Sequence, residues 1–229
     1  MHEAFLTRLA AAFEAARDPE RAVAMRAYMR DQFPFLGIGA PAQKTLVRAA
    51  LTGLGAPTGD DLRALALACW DLPEREYQYA ACFVLRRFVK RCPAGFLPTA
   101  RTLITTKSWW DSVDALAAHT VGPLVAAHPE LGEVMDRWIT DDNLWVARTA
   151  LLHQLRYGAA TNEERLFAYC VKQSGHRDFF IRKAIGWALR EYARTDPEAV
   201  RAFVARTPLS PLSVREAMKH MNLGAKPHR

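Results

Sequence analysis

The chain has 229 residues, half of them hydrophobic and about a quarter charged, with 31 Lys+Arg against 24 Asp+Glu. That composition excludes disorder as the main state, and no apolar run reaches the ~18–20 residues of a membrane span. The charge is uneven: residues 1–145 hold 16 basic and 17 acidic side chains, residues 146–229 hold 15 and 7, which suits either an anionic partner such as nucleic acid or a solvated basic surface.

Residues 1–14 carry Glu3 and Arg8 inside an apolar pattern, which fits neither a signal peptide nor a transit peptide. A protein inside the cell, without membrane contact, is expected. Helix punctuation then recurs. Asp18-Pro19 offers an N-cap followed by a proline at the first helical position, and Pro41, Pro73, Pro93, Pro129 and Pro197 are placed to open helices in the same way. Leu62, Leu65, Ala66 and Cys69 form one apolar face at helical spacing, and Phe167, Cys170 and Val171 belong to another. No segment alternates like a strand between two turns. The prediction is all-α, with ten to twelve short helices. Cys69, Cys82, Cys92 and Cys170 show no C-x-x-C pair and do not cluster with histidines, so reduced thiols are expected and no metal site. Cys69, Cys82 and Cys170 are expected in the core.

A repeat underlies these helices. Ala81, Ala115, Ala150, Ala184 and Ala217 follow one another at intervals of 33 to 35 residues with similar neighbours, and Arg148, Arg182 and Arg215 each stand two residues before their alanine. Units of this length bury their apolar faces by stacking, which predicts one domain over 1–229 built as a curved α-solenoid. Arg148, Arg182 and Arg215 would then form a ladder able to follow a phosphate backbone, unless acidic neighbours in the repeats pair with them.

The most unusual segment is Ser108-Trp109-Trp110-Asp111-Ser112-Val113-Asp114. Two adjacent helical tryptophans point about 100° apart, so both are not expected in the core. Trp110 and Asp114, four apart, share a face, and an indole beside a carboxylate suits a cation. The alternative is that Asp114 caps or pairs locally while Trp110 fills the core. Trp187 recurs two repeats later beside Gly186, a mid-helix glycine that points to a close approach, either of a ligand or of another helix.

These segments, with Trp70 to Glu76, Asp142-Asn143-Leu144-Trp145, residues 179–192 and Leu209 to Ser213, resemble the AlkD family of DNA alkylation repair glycosylases over nearly the whole chain. The resemblance implies HEAT-like repeats and excision of positively charged alkylated purines, 3-methyladenine and 7-methylguanine, from double-stranded DNA by hydrolysis, in base excision repair. It implies no cofactor. By the family's pattern Asp114 is the catalytic aspartate, Trp110 and Trp187 flank it, Arg148 is the arginine of the catalytic face, and Tyr28 faces DNA. The chemistry suits these residues: a cationic base already leaves readily, and a carboxylate stabilises the oxocarbenium-like sugar. Residues 35–44 match the family's Phe-Leu-Gly-Ile loop, but Gly39 and Ala40 replace longer polar side chains, so contacts to the opposite strand near Tyr28 are expected either to be weaker or to be made by Gln43 and Lys44.

Three rival readings accompany this one. Leu36-Gly37-Ile38-Gly39 resembles the hairpin of helix-hairpin-helix proteins, whose backbone N–H groups bind phosphate, with Asp60 or Asp61 downstream. A helix C-cap with Gly37 or Gly39 in the left-handed region explains the same glycines. The chain could also be a non-catalytic repeat protein binding damaged or branched DNA, or a protein-binding scaffold. A monomer is expected, with residues 224–229 loose.

Overall fold

The computed structural model describes residues 1–219 and 221. Its described residues are helical throughout, without a strand, as the periodicity predicts. The chain gathers into two compact units, Met1–Ser108 and Trp109–Arg229.

In the first unit α1 (His2–Ala15) packs on α3 (Ala40–Leu51) and α4 (Gly59–Asp71), and α4 packs on α5 (Arg75–Phe88) and α6 (Leu97–Thr105). A short α2 (Pro19–Tyr28) buries none of its residues. Phe5, Leu9 and Phe13, four apart on α1, are fully buried, and so is the predicted α4 face. Each such side chain contributes roughly 1.5–3 kcal/mol by leaving water. Trp70 adds direction to this packing, because its indole N–H donates to the carbonyls of Leu103 and Thr106 at 3.0 and 2.9 Å.

The second unit runs α7 (Trp110–Leu116), a π-turn (Ala117–Val121), α8 (Gly122–Ala127), α9 (Gly132–Trp138), α10 (Leu144–Leu152), α11 (Glu163–Lys172), α12 (Phe179–Tyr192), α13 (Pro197–Arg206) and α14 (Pro211–Met218). Here α10 packs against α7 and α12, and α12 packs against α14. The fourteen α-helices of the described residues exceed the ten to twelve expected, because 3₁₀ turns and the π-turn divide the chain into shorter pieces.

The repeat register falls on α5, α7, α10, α12 and α14. Ala81, Ala150, Ala184 and Ala217 are fully buried, whereas Ala115 on α7 is half-buried. In the second unit, small residues at that position let α7, α10, α12 and α14 approach one another in turn. Asp18 and Asp196 cap α2 and α13 as the punctuation predicts, each accepting from a backbone N–H of the first turn, and Asn143 and Asp178 cap α10 and α12 in the same way; Pro73 instead precedes the N-cap of α5, Glu74. Two details of the predicted core differ. Val171 is 52% exposed, and Cys82 is half-buried; each lies at the border of its helix's apolar face. The expectation for residues 224–229 lies outside the described residues.

Close helix contact explains Gly186. A Cβ there would lie 2.5 Å from Glu216 Cβ and 2.7 Å from the Ser213 carbonyl, so the glycine serves the α12–α14 contact. Gly122 plays the same part against the carbonyl of His153, 2.2 Å from where its Cβ would stand. His153 itself is buried, with Nδ1 2.7 Å from the Ala150 carbonyl, so Nδ1 carries the proton and donates. Burial holds its pKa down to about 4. The folded state therefore binds this proton less readily than the unfolded chain. Stability is full above pH 6.5 and is lost as pH falls toward 4. Urea unfolding should show a drop of about 2 kcal/mol between pH 7 and pH 5, and a His153→Gln variant should lose that part of the pH dependence.

Candidate active site

The candidate site lies in the second unit, on α7, α10 and α12. Sequence spacing puts both tryptophans on one helix, but the helix begins at Trp110. Trp109 is the preceding residue, with extended backbone at φ −157° and ψ 161°. That turn sends the Trp109 ring away from α7 and into a cluster with Trp145 (centroids 5.9 Å) and Phe180 (5.2 Å), which are 5.0 Å from each other. Trp109 is thus half-buried within this aromatic cluster, placed there by the extended backbone before α7. Trp110 remains half-buried on α7, one turn before Asp114.

Asp114 and Arg148 meet as a parallel fork. Arg148 Nε donates to Oδ1 and Nη2 to Oδ2, each at 2.7 Å. The Asp114 side chain is 13% exposed and that of Arg148 only 4%. Arg148 Nη1 also donates to the Phe180 carbonyl on α12, so one guanidinium ties α7, α10 and α12 together. A buried cation of this kind is tolerable when it is paired and hydrogen-bonded. Burial pushes the Asp114 carboxyl above its usual range. The hydrogen bonds and charge of Arg148 oppose that rise, and the charge of Asp111 adds to it.

Trp187 is half-buried on α12, seven residues and so two turns beyond Phe180, on the same face. Phe179 next to Phe180 is 52% exposed, with Lys183 Nζ 5.7 Å from its ring centroid. The three arginines of the expected ladder have three different environments. Arg148 is buried against Asp114. Arg182 is half-buried and donates from Nε to the His176 carbonyl at 2.8 Å. Arg215 is exposed and forms no ion pair with the described residues. Its neighbour Glu216 pairs instead with Arg190 at 2.7 Å and Lys183 at 3.8 Å. Sequence reading missed Phe180 and Trp145 as parts of the site; the Asp178 cap, which fixes where α12 starts, was the available signal for Phe180.

The first unit holds Tyr28, Gln43 and Lys44. Tyr28 is 71% exposed at the end of α2, and Lys44 is exposed on α3. Gln43 turns inward: it is buried, and its amide donates to the Ile38 carbonyl at 2.5 Å. The Phe-Leu-Gly-Ile loop is held from below by Glu76, a fully buried carboxylate on α5. Its oxygens accept from the N–H groups of Leu36, Gly37 and Ile38 at 3.0, 2.9 and 3.1 Å. Those donors are consumed, so the hairpin does not offer phosphate a nest, against the helix-hairpin-helix reading. Asp61 lies in the first turn of α4, in a capping box with Thr58. Nor is Gly37 a helix C-cap. Its φ of +89° carries the loop against α2, where a Cβ would stand 2.0 Å from the Asp18 carbonyl, while Gly39 is the N-cap of α3.

Residues 9–221 match the family described as "DNA alkylation repair enzyme". The chain belongs to the DNA alkylation repair enzyme family. A solved structure described as a predicted DNA alkylation repair enzyme from Enterococcus faecalis is similar at 34% identity, covering 91% of this chain and 98% of that one, with a TM-score of 0.84. The structure of smu.31 from Streptococcus mutans UA159, at 18% identity and TM-score 0.60 over 79% of this chain and 96% of that one, shares the fold. No curated protein matches the chain. A role in the repair of alkylated DNA follows from the family. No helix among the described residues is long and apolar enough to cross a membrane.

Truncating Glu76 should leave three buried N–H groups unpaired, at roughly 1–3 kcal/mol each. Glu76→Ala is therefore expected to lower the urea unfolding free energy by at least ~3 kcal/mol. An unchanged transition midpoint would show that the loop is held some other way.

Proposed function

We propose that the protein is a DNA glycosylase that hydrolyses the N-glycosidic bond of cationic N3- and N7-alkylated purines in duplex DNA. The observation that carries this reading is the Asp114–Arg148 fork, with Trp110 one turn away on α7 and Trp187 on α12. An alkylated purine carries its own positive charge, so bond breaking needs no strong acid. It needs a negative group near the sugar, where positive charge grows as the bond stretches. Asp114, ionised and fixed, would supply that charge and orient water toward the anomeric carbon. The Trp110 and Trp187 rings would bind the cationic nucleotide through their faces.

Arg148 then acts first as the group that holds Asp114. Three of its five N–H donors serve Asp114 and the Phe180 carbonyl, leaving two for a phosphate. Its positive charge also keeps the carboxylate ionised against the effect of burial. Tyr28, Lys44, Arg182 and Arg215 would contribute contacts to the DNA backbone or to the opposite strand, while Gln43 would act through the loop it supports.

Two measurements follow. Asp114→Asn should abolish most single-turnover release of 7-methylguanine from duplex DNA and retain DNA binding, because the amide keeps the side chain's shape and lacks its charge. A fully active variant would contradict the assignment. The acid limb of the single-turnover rate should also lie above the ordinary aspartate range. The working form is the carboxylate, and burial raises the pH at which it is lost. Asp111→Asn, which removes the like charge beside it, should move that limb to lower pH.

A further inference from the structure

The second unit contains a cleft of about 250 Å³ lined by residues of α10, α11 and α12 and of the turns that follow α10 and α12. Its floor includes Leu151, less than one turn beyond Arg148 on α10, and Ala188, the residue after Trp187 on α12. Arg156 and Arg194 line the same cleft, with the acidic Glu191 and the hydroxyl-bearing Thr161 and Thr195. Two of its polar walls are fixed by the fold. The Gln154 amide donates to the Asn162 carbonyl at 3.2 Å and accepts from the Asn162 N–H at 2.8 Å, and the Tyr192 hydroxyl donates to Glu163 at 2.8 Å.

We propose that this cleft is a subsite for one sugar–phosphate unit of the lesion-bearing strand, with Arg156 and Arg194 on the phosphate and the sugar against the apolar floor. The inference rests on the DNA glycosylase reading and adds to it where the strand leaves the site. Its volume is below that of sites for drug-sized ligands, which fits a fragment of a chain better than a free cofactor. Arg156 is exposed and forms no ion pair with the described residues. Arg194 is 69% exposed on its side chain and pairs with Glu191 at 3.1 Å. An exposed pair of this kind contributes little, so a phosphate can take Arg194 from Glu191 readily.

The test measures affinity for a duplex carrying one 7-methylguanine as a function of salt, with single-turnover base release at saturating protein alongside. Arg156→Ala and Arg194→Ala should each weaken binding several-fold and lower the slope of log K against log salt by about 0.9. Glu191→Gln should tighten binding by freeing Arg194. Glu191→Gln should release base at the wild-type rate once saturated. A neutral methylphosphonate scanned along the lesion strand should erase the Arg156→Ala defect at one position near the lesion. If both arginine variants keep wild-type affinity and slope, or if no position erases the defect, the cleft is not the subsite. If wild-type protein itself shows no salt-dependent DNA binding, the glycosylase reading falls with it.

Discussion

Everything in the candidate site depends on one buried ion pair. Asp114 and Arg148 are both largely removed from water, and each charge would be costly there without the other. Their parallel fork solves this, and the third bond from Arg148 to the Phe180 carbonyl extends the solution to a third helix. Three helices far apart in sequence are thereby locked in register. Trp110 on α7 and Trp187 on α12 inherit their positions from that lock. A carboxylate held by a planar fork has little freedom to reorient, which is what stabilisation of a developing charge requires.

The charge distribution reads differently once the units are known. Met1–Ser108 holds 15 basic and 10 acidic side chains, and Trp109–Arg229 holds 16 and 14. The excess in the last third is real, but residues 109–145 carry seven acidic side chains and a single basic one, Arg137. Asp114 thus sits in an acidic segment and takes its positive partner from the next repeat. Pairing also spends part of the basic excess internally. Arg148 serves Asp114, Arg190 serves Glu216 and Arg165 serves Asp136. The cations left to meet an anionic partner are those at exposed positions such as Lys44, Arg156 and Arg215.

Much of this was legible in the sequence because helices write their period into it. The alanine register identified α5, α7, α10, α12 and α14, and Asp18-Pro19, Pro41 and Pro197 marked where α2, α3 and α13 start. The pairing of Trp110 with Asp114 needed only a spacing of four. What the sequence did not carry was depth. Arg148, Arg182 and Arg215 occupy equivalent positions, yet one is buried, one half-buried and one exposed, because exposure depends on the neighbouring repeat and not on the register. Trp109 followed a similar course: a single extended residue before α7 turned its ring toward Trp145 and Phe180. The Glu76 bonds to Leu36, Gly37 and Ile38 span about forty residues and join a loop to a helix that no local pattern connects.

The central claim is that this arrangement cleaves a glycosidic bond rather than merely holding damaged DNA. The most direct measurement incubates the wild-type protein with methylated duplex DNA and separates free bases from the polymer. The account predicts release of 3-methyladenine and 7-methylguanine, with unmodified adenine and guanine retained. Salt-dependent binding of the methylated duplex without release of any base would contradict it.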